Sequence, residues 1–109
     1  VDLFGGLTEL LGAYDAWVLP EVVSELRGLT NNFGKNAAAA RFGLTVAARC
    51  RLLEPWDEDI PVDDKVVANA REINAVVVTN DRELKKKLLD QQIAVVVLRS
   101  RCRLELIGK

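Results

Sequence analysis

The chain has 109 residues, half of them hydrophobic, with a net charge of −1 and no histidine. This length and apolar content predict one folded domain, and no apolar run approaches the roughly 18 residues of a membrane span. The absence of histidine excludes Ser-His-Asp triads and the common zinc sites, so that catalysis must rest on carboxylates, Lys, Tyr, Cys or a metal. No secretory signal is visible, and Cys50 and Cys102 lack metal-ligand spacing, so a reduced, cytoplasmic protein is expected.

Periodicity predicts helices and strands in alternation along the chain. Apolar residues three or four positions apart indicate helices, whereas short continuous apolar runs between polar or turn residues indicate buried strands. The predicted helices lie at residues 3–12, 20–29, 35–50, 62–73 and 82–90. The predicted strands lie at residues 16–19, 51–54, 75–79 and 93–98. This alternation predicts an open α/β sandwich.

The clearest signal is the β-branched run at 75–79, which shows no polar alternation and is therefore expected to be covered on both faces. Asn80 and Asp81 are good helix-start residues for the segment that follows. A second buried run at 93–98 completes a strand, a helix and a strand within about 25 residues. This pattern predicts a right-handed βαβ unit and hence a parallel sheet.

Three acids lie where predicted helices follow strands. Asp81 follows the 75–79 strand, Asp64 lies in the first turn of the helix that starts at Val62, and Glu25 lies one turn into the helix after Pro20. In open α/β sheets, ligands bind beyond the carboxyl ends of the strands, so the three carboxylates are expected at one edge. Each also has a structural interpretation. The two aspartates suit helix caps or dipole partners, and Glu25 suits an exposed helix position.

Carboxylates held together favour a hard divalent cation, Mg²⁺ or Mn²⁺. Such a metal lowers the pKa of bound water and neutralises a scissile phosphate, which is the chemistry of phosphodiester hydrolysis. Thr79 or Asn80 is expected to support a ligand carboxylate by hydrogen bonding or to orient water. Many phosphate enzymes share this arrangement, so the acids alone do not identify a nuclease.

Three segments resemble, in order, the motifs of PIN (PilT N-terminus) nuclease domains. VVVTNDRELKKKL resembles their last strand–helix motif, with Asp81 at the final catalytic acid. VDDKVVANA resembles the preceding acidic motif, with Asp64 at the acid and Asp63 as an adjacent helper. WVLPEVVSELRGL places Glu25 at the family's glutamate, with Glu21 as the alternative for that role. The tail VVVLRSRCRLELIG resembles small archaeal members akin to ribosomal-RNA-processing PIN nucleases.

The resemblance implies a three-layer αβα sandwich with a central parallel sheet, in a single domain over residues 1–109. It also implies Mg²⁺- or Mn²⁺-dependent cleavage of RNA, and a homodimer. PIN domains begin with a central strand that ends in an aspartate, whereas Asp2 lies in VDLFGG. The first strand of the domain is therefore expected to be missing from this chain, together with the first catalytic acid.

The first functional hypothesis is a metal-dependent endoribonuclease, acting in rRNA processing or as a VapC-type toxin with an antitoxin partner. Clusters of basic residues are either solvated faces or phosphate contacts. The residues expected to contact RNA are Arg82, Lys85, Arg99, Arg101 and Arg103. The second hypothesis is a non-catalytic RNA-binding or ribosome-assembly module with a PIN fold. The third, a phosphate-handling enzyme of the response-regulator or phosphatase kind, lacks a convincing nucleophile motif here.

Overall fold

The computed structural model describes residues 3–31, 34–55, 59–99 and 103–108. The helices are α1 (Leu3–Leu11), α2 (Pro20–Leu29), α3 (Lys35–Ala47), α4 (Val62–Ile73) and α5 (Arg82–Asp90). The strands are β1 (Trp17–Val18), β2 (Arg51–Leu52), β3 (Val77–Val78), β4 (Val95–Leu98) and β5 (Leu104–Ile107). Every helix and strand that the sequence predicted is present, and β5 is additional. None of the helices in the described ranges is long and apolar enough to cross a membrane.

Contacts within the chain divide it into two compact units. One unit, called here the small unit, comprises Asp15–Asp59, and the other, the large unit, comprises residues 1–14 and 60–109. The small unit contains the parallel pair β1–β2, and the large unit contains a three-stranded sheet in the order β3-β4-β5. The single domain predicted over 1–109 stays a prediction.

In the small unit, α2 packs closely against α3 because the facing surface of α3 carries small side chains. Ala37 and Ala40 are buried, and Gly43 continues the same row three residues later. A Cβ atom at Gly43 would lie 3.1 Å from Cδ2 of Leu26 on α2. The alanine-rich helix therefore packs as the sequence predicted, and a larger side chain in this row would separate the two helices.

In the large unit, β3 and β4 are parallel and α5 connects them, which confirms the predicted βαβ unit. The core lies between α5 and β4, where Leu88 and Val95 are fully buried and Ala70 of α4 packs against the same cluster. By analogy with other buried leucines, truncation of Leu88 to alanine would cost about 2–5 kcal/mol of stability. This core fixes the direction of α5 and thus the position of its first residue.

Two details of the sheet differ from the predictions. β5, which the sequence did not predict, pairs antiparallel to β4, so this sheet is mixed rather than purely parallel. β3 lies at the edge of the described sheet and Val78 is 47% exposed, so the prediction that this strand is covered on both faces was wrong. Full burial belongs instead to the central strand β4, where Val95 and Val96 have neighbours on both sides.

Candidate functional site

Asp81 lies between β3 and α5, directly before the first residue of the helix. Its side chain caps the helix, since Oδ1 accepts a hydrogen bond from the backbone N–H of Leu84 at 3.0 Å. Its own backbone N–H donates to Oγ1 of Thr79 at 3.1 Å. An acidic cap at a helix N-terminus is favourable because it satisfies one of the free N–H groups and faces the positive end of the helix dipole. Asp81 therefore has a defined position at the carboxyl end of β3, as predicted.

Asn80 connects the segment between β3 and α5 to the neighbouring strand β4 by hydrogen bonds. Its Oδ1 accepts from the backbone N–H of Leu98 at 2.8 Å, and its Nδ2 donates to the carbonyl oxygen of Leu98 at 3.2 Å. The side chain thus continues the bonding between β3 and β4 to a position two residues beyond Val78, the end of β3. Thr79 or Asn80 was predicted to hydrogen-bond a ligand carboxylate or to orient water, and this stays a prediction. The hydrogen bonds that these side chains make in the structure are to backbone groups, through which they set the position of Asp81.

Asp63 and Asp64 lie in the first turn of α4. Asp64 is about half exposed, and its Oδ1 lies 3.7 Å from Nζ of Lys87 on α5. An ion pair this exposed contributes little, at most about 1 kcal/mol. The predicted metal ligand Asp64 therefore has the ammonium group of Lys87 beside it, in a weak ion pair that the sequence did not predict.

The helices α4 and α5 run in the same direction. Near their carboxyl ends, Nη1 of Arg71 donates to Oε1 of Gln91 at 2.9 Å. Asp64, in the first turn of α4, pairs with Lys87 in the last turn of α5, so the order of the two contacts is the same along both helices. At a rise of about 1.5 Å per residue, the six residues from Asp81 to Lys87 correspond to roughly 9 Å along α5. Asp64 therefore lies beside the last turn of α5, and that it shares a site with Asp81 stays a prediction.

Glu25 belongs to the small unit. It lies on α2 with an exposed side chain. Glu21, the alternative for the same role, lies in the first turn of that helix and its Oε1 is buried. The two candidates therefore differ in exposure, and Glu21 stays the alternative to Glu25. That Glu25 acts together with Asp64 and Asp81 stays a prediction.

The chemistry of these donors fits the predicted Mg²⁺ or Mn²⁺, because carboxylate oxygens are the ligands that hard divalent cations prefer. Across residues 3–31, 34–55, 59–99 and 103–108, however, no three Asp, Glu, Cys or His side chains are grouped so that they could hold an ion. The large unit therefore offers Asp64 in the first turn of α4 and Asp81 at the cap of α5 rather than a complete set of ligands. A metal bound by either aspartate would need further oxygen ligands, such as water.

The basic residues predicted to contact RNA differ in their surroundings. Arg82 is exposed directly after Asp81, and Lys85 is partly buried on the same helix. In the β4–β5 hairpin, Nε of Arg99 lies 3.1 Å from Oε2 of Glu105, while the nearby Arg103 is exposed. The remaining predicted contact, Arg101, lies outside the described residues.

Comparisons with known proteins agree with this architecture. A solved structure described as "Structure of the PIN domain endonuclease Utp24" superposes with a TM-score of 0.78, at 24% sequence identity, over 100% of this chain and 80% of that one. At this identity, the likeness shows the fold alone. A search of curated proteins found no match. A sequence model of the family described as "PIN like domain" matches residues 1–101, which confirms the resemblance found in the motifs. The chain therefore belongs to the PIN-like domain family.

Proposed function

We propose that this protein is a metal-dependent endoribonuclease, which hydrolyses phosphodiester bonds in RNA. The observation that carries the proposal is the position of Asp81 between the end of β3 and the start of α5, in a chain of the PIN-like family. Helix N-termini carry partial positive charge and favour anions, and both aspartates lie at such helix starts. The proposed role is rRNA processing or, alternatively, that of a VapC-type toxin with an antitoxin.

In this proposal, Asp64 and Asp81 hold Mg²⁺ or Mn²⁺, and Glu25 and Asp63 complete the set of acids. When bound, such a metal activates water and neutralises the scissile phosphate. The chain's own contribution is position. Thr79 fixes the backbone of Asp81, and the cap to α5 fixes its carboxylate. The remaining oxygen ligands of the metal would come from water and from the RNA phosphate.

The RNA backbone would be held by the basic residues next to this helix end. Arg82 follows Asp81 directly, and an exposed guanidinium can bind a phosphate in a bidentate manner. Lys85, Arg99, Arg101 and Arg103 are proposed as further phosphate contacts. Because Arg99 already pairs with Glu105, its contribution is expected to be smaller than that of Arg103. A homodimer and a cytoplasmic location also stay predictions.

A non-catalytic RNA-binding or ribosome-assembly module is the second candidate function. It is favoured by the ion pair between Lys87 and Asp64, because the ammonium group of Lys87 competes with a metal ion for the carboxylate of Asp64. It is also favoured by the lack of a three-residue ligand group within the described parts of the chain. In this case, the acids would act as helix caps and surface charges, and binding would not lead to cleavage.

The test is cleavage of a labelled single-stranded RNA in Mn²⁺ by the wild type, Asp64→Asn and Asp81→Asn. Glu72→Gln is a matched control, because Glu72 is an exposed acid in the last turn of α4, at the other end of that helix. We expect each aspartate variant to lose at least about 100-fold in cleavage rate, and the control to keep it. Equal cleavage by all four proteins would refute the site. RNA binding without cleavage by the wild type would support the second candidate.

A further inference from the structure

Trp17 is an exposed tryptophan in the small unit. It is the first residue of β1 and 42% of its surface is accessible, which is unusual for the largest aromatic side chain. Trp17 is paired in register with Arg51 of β2, so the two side chains are neighbours on one face of the strand pair. The guanidinium carbon of Arg51 lies 5.6 Å from the centre of the Trp17 ring.

This geometry is that of a cation–π pair, which at an exposed site contributes about 0.5–1 kcal/mol. The pair is also a surface on which a planar group can stack, because the ring and the guanidinium are both flat and both accessible to solvent. Together they present a π face and a positive charge within one side-chain length. A nucleotide has the complementary features, since its base is a π face and its phosphate is negative.

We propose that Trp17 and Arg51 form a stacking platform for an unpaired base of single-stranded RNA. The proposal rests on the proposed function and adds to it a binding site for one base, outside the residues proposed to bind metal or phosphate. The platform is distinct from the phosphate contacts proposed for the large unit. Exposed acids flank it along the chain, Asp15 before Trp17 and Glu54 after Arg51. These carboxylates repel phosphate, so the expected contact combines base stacking on Trp17 with the charge of Arg51 and is not phosphate binding alone.

The test uses the fluorescence of Trp17 in the full chain. The sequence has two tryptophans, so Trp56→Phe leaves Trp17 as the only one. In EDTA, where no metal-dependent cleavage occurs, a short unstructured RNA is expected to quench this fluorescence. A blunt duplex of the same sequence, whose bases are stacked internally, is expected to quench it far less.

The affinity for the same labelled RNA is then measured by anisotropy in three variants. Trp17→Ala is expected to weaken binding about 5- to 100-fold, the range found for removal of one base–aromatic stack. Trp17→Phe keeps a ring on the strand and is expected to retain most of the affinity, which excludes misfolding as the cause. Phe42→Ala removes another exposed aromatic of the small unit and is the matched control, with affinity expected to be unchanged.

The platform and the nuclease fail in different ways. One outcome is that RNA quenches Trp17 fluorescence and Trp17→Ala weakens RNA binding as expected, but the wild type does not cleave RNA in Mn²⁺. This outcome would refute the nuclease and support the platform. The opposite outcome is that the wild type cleaves RNA, that Trp17→Ala and Phe42→Ala bind RNA equally well, and that RNA does not quench Trp17 fluorescence. This outcome would refute the platform and leave the nuclease intact. Absence of any RNA binding would overturn the platform. It would also be overturned if the chain self-associates, if Trp17→Ala abolishes this self-association, and if RNA has no effect on it.

Discussion

Asp81 has a structural role that is visible in the hydrogen bonds and a catalytic role that is proposed, and two substitutions separate them. Asp81→Ala removes both the helix cap and the carboxylate. Asp81→Asn keeps an oxygen that can accept from the N–H of Leu84 but removes the charge that would bind a metal. Asparagine caps helices about as well as aspartate does, so the second variant tests the charge almost alone.

The expected changes in stability follow from the cap. Loss of the cap in Asp81→Ala is expected to lower the free energy of unfolding by about 1 kcal/mol, with a range of about 0.5–2. For a chain of this size, that corresponds to a decrease in melting temperature of about 4–6 °C. Asp81→Asn loses only the interaction of the charge with the helix dipole, about 0.3–1 kcal/mol. Thermal unfolding followed by circular dichroism in EDTA measures both changes.

The same unfolding experiment with Mn²⁺ measures the proposed ligand role. A metal present at a hundred times its dissociation constant stabilises the folded state by about 2.7 kcal/mol. We expect Mn²⁺ to raise the melting temperature of the wild type and to have little effect on either Asp81 variant. If Asp81→Asn retains the full Mn²⁺-dependent increase, Asp81 is a helix cap and not a ligand, and the proposed site is refuted.

Three further predictions concern the fold. Asn80→Ala removes two hydrogen bonds to the end of β4 and is expected to cost about 1–3 kcal/mol, measured by urea denaturation; an unchanged midpoint would contradict the proposed clamp. Gly108→Ala is expected to destabilise by about 1 kcal/mol or more, because Gly108 has a φ of 89° and a Cβ there would lie 2.7 Å from Cδ2 of Leu89. Burial raises the pKa of the Cys50 thiol, against a smaller opposing effect of a neighbouring arginine, so less thiolate exists at pH 8 than in a free thiol. In the variant Cys102→Ser, iodoacetamide is therefore expected to alkylate Cys50 more slowly in the folded protein than in the urea-unfolded protein at pH 8. The rate for the folded protein is expected to increase only at higher pH. Equal rates in the two states at pH 8 would contradict the raised pKa.

The βαβ unit was predictable because its signals are local. A continuous apolar run, two helix-start residues and a second apolar run follow one another in the sequence, and each forms the expected element. β5 was missed for the opposite reason. It has four residues, includes Glu105, and is defined by its pairing with β4 rather than by its own pattern. The acid in the strand has a partner across the hairpin, Arg99, at 3.1 Å, and a single sequence does not show this pairing.

Part of the candidate site was predictable from local signals. Helix-start chemistry predicted Asp64 in the first turn of α4 and Asp81 at the start of α5, and both lie there, whereas their shared metal site stays a prediction. Lys87 was not recognised, because its contact with Asp64 depends on how two helices lie beside each other. Lys85 and Lys86 have the same residue type in the same run, and only the packing of α4 on α5 distinguishes Lys87 from them.

The junction after β3 shows why the structural and the catalytic interpretation of an acid do not exclude each other. Thr79, Asn80 and Asp81 each bond a different backbone group, so three successive side chains fix one turn. A carboxylate can serve as a preorganised metal ligand only if its position is fixed before the metal arrives, and a helix cap supplies that constraint through one oxygen. The presence of the cap is therefore no evidence against the ligand. Only a substitution that keeps the hydrogen bond while it removes the charge can decide between the two interpretations, and for this turn that substitution is Asp81→Asn.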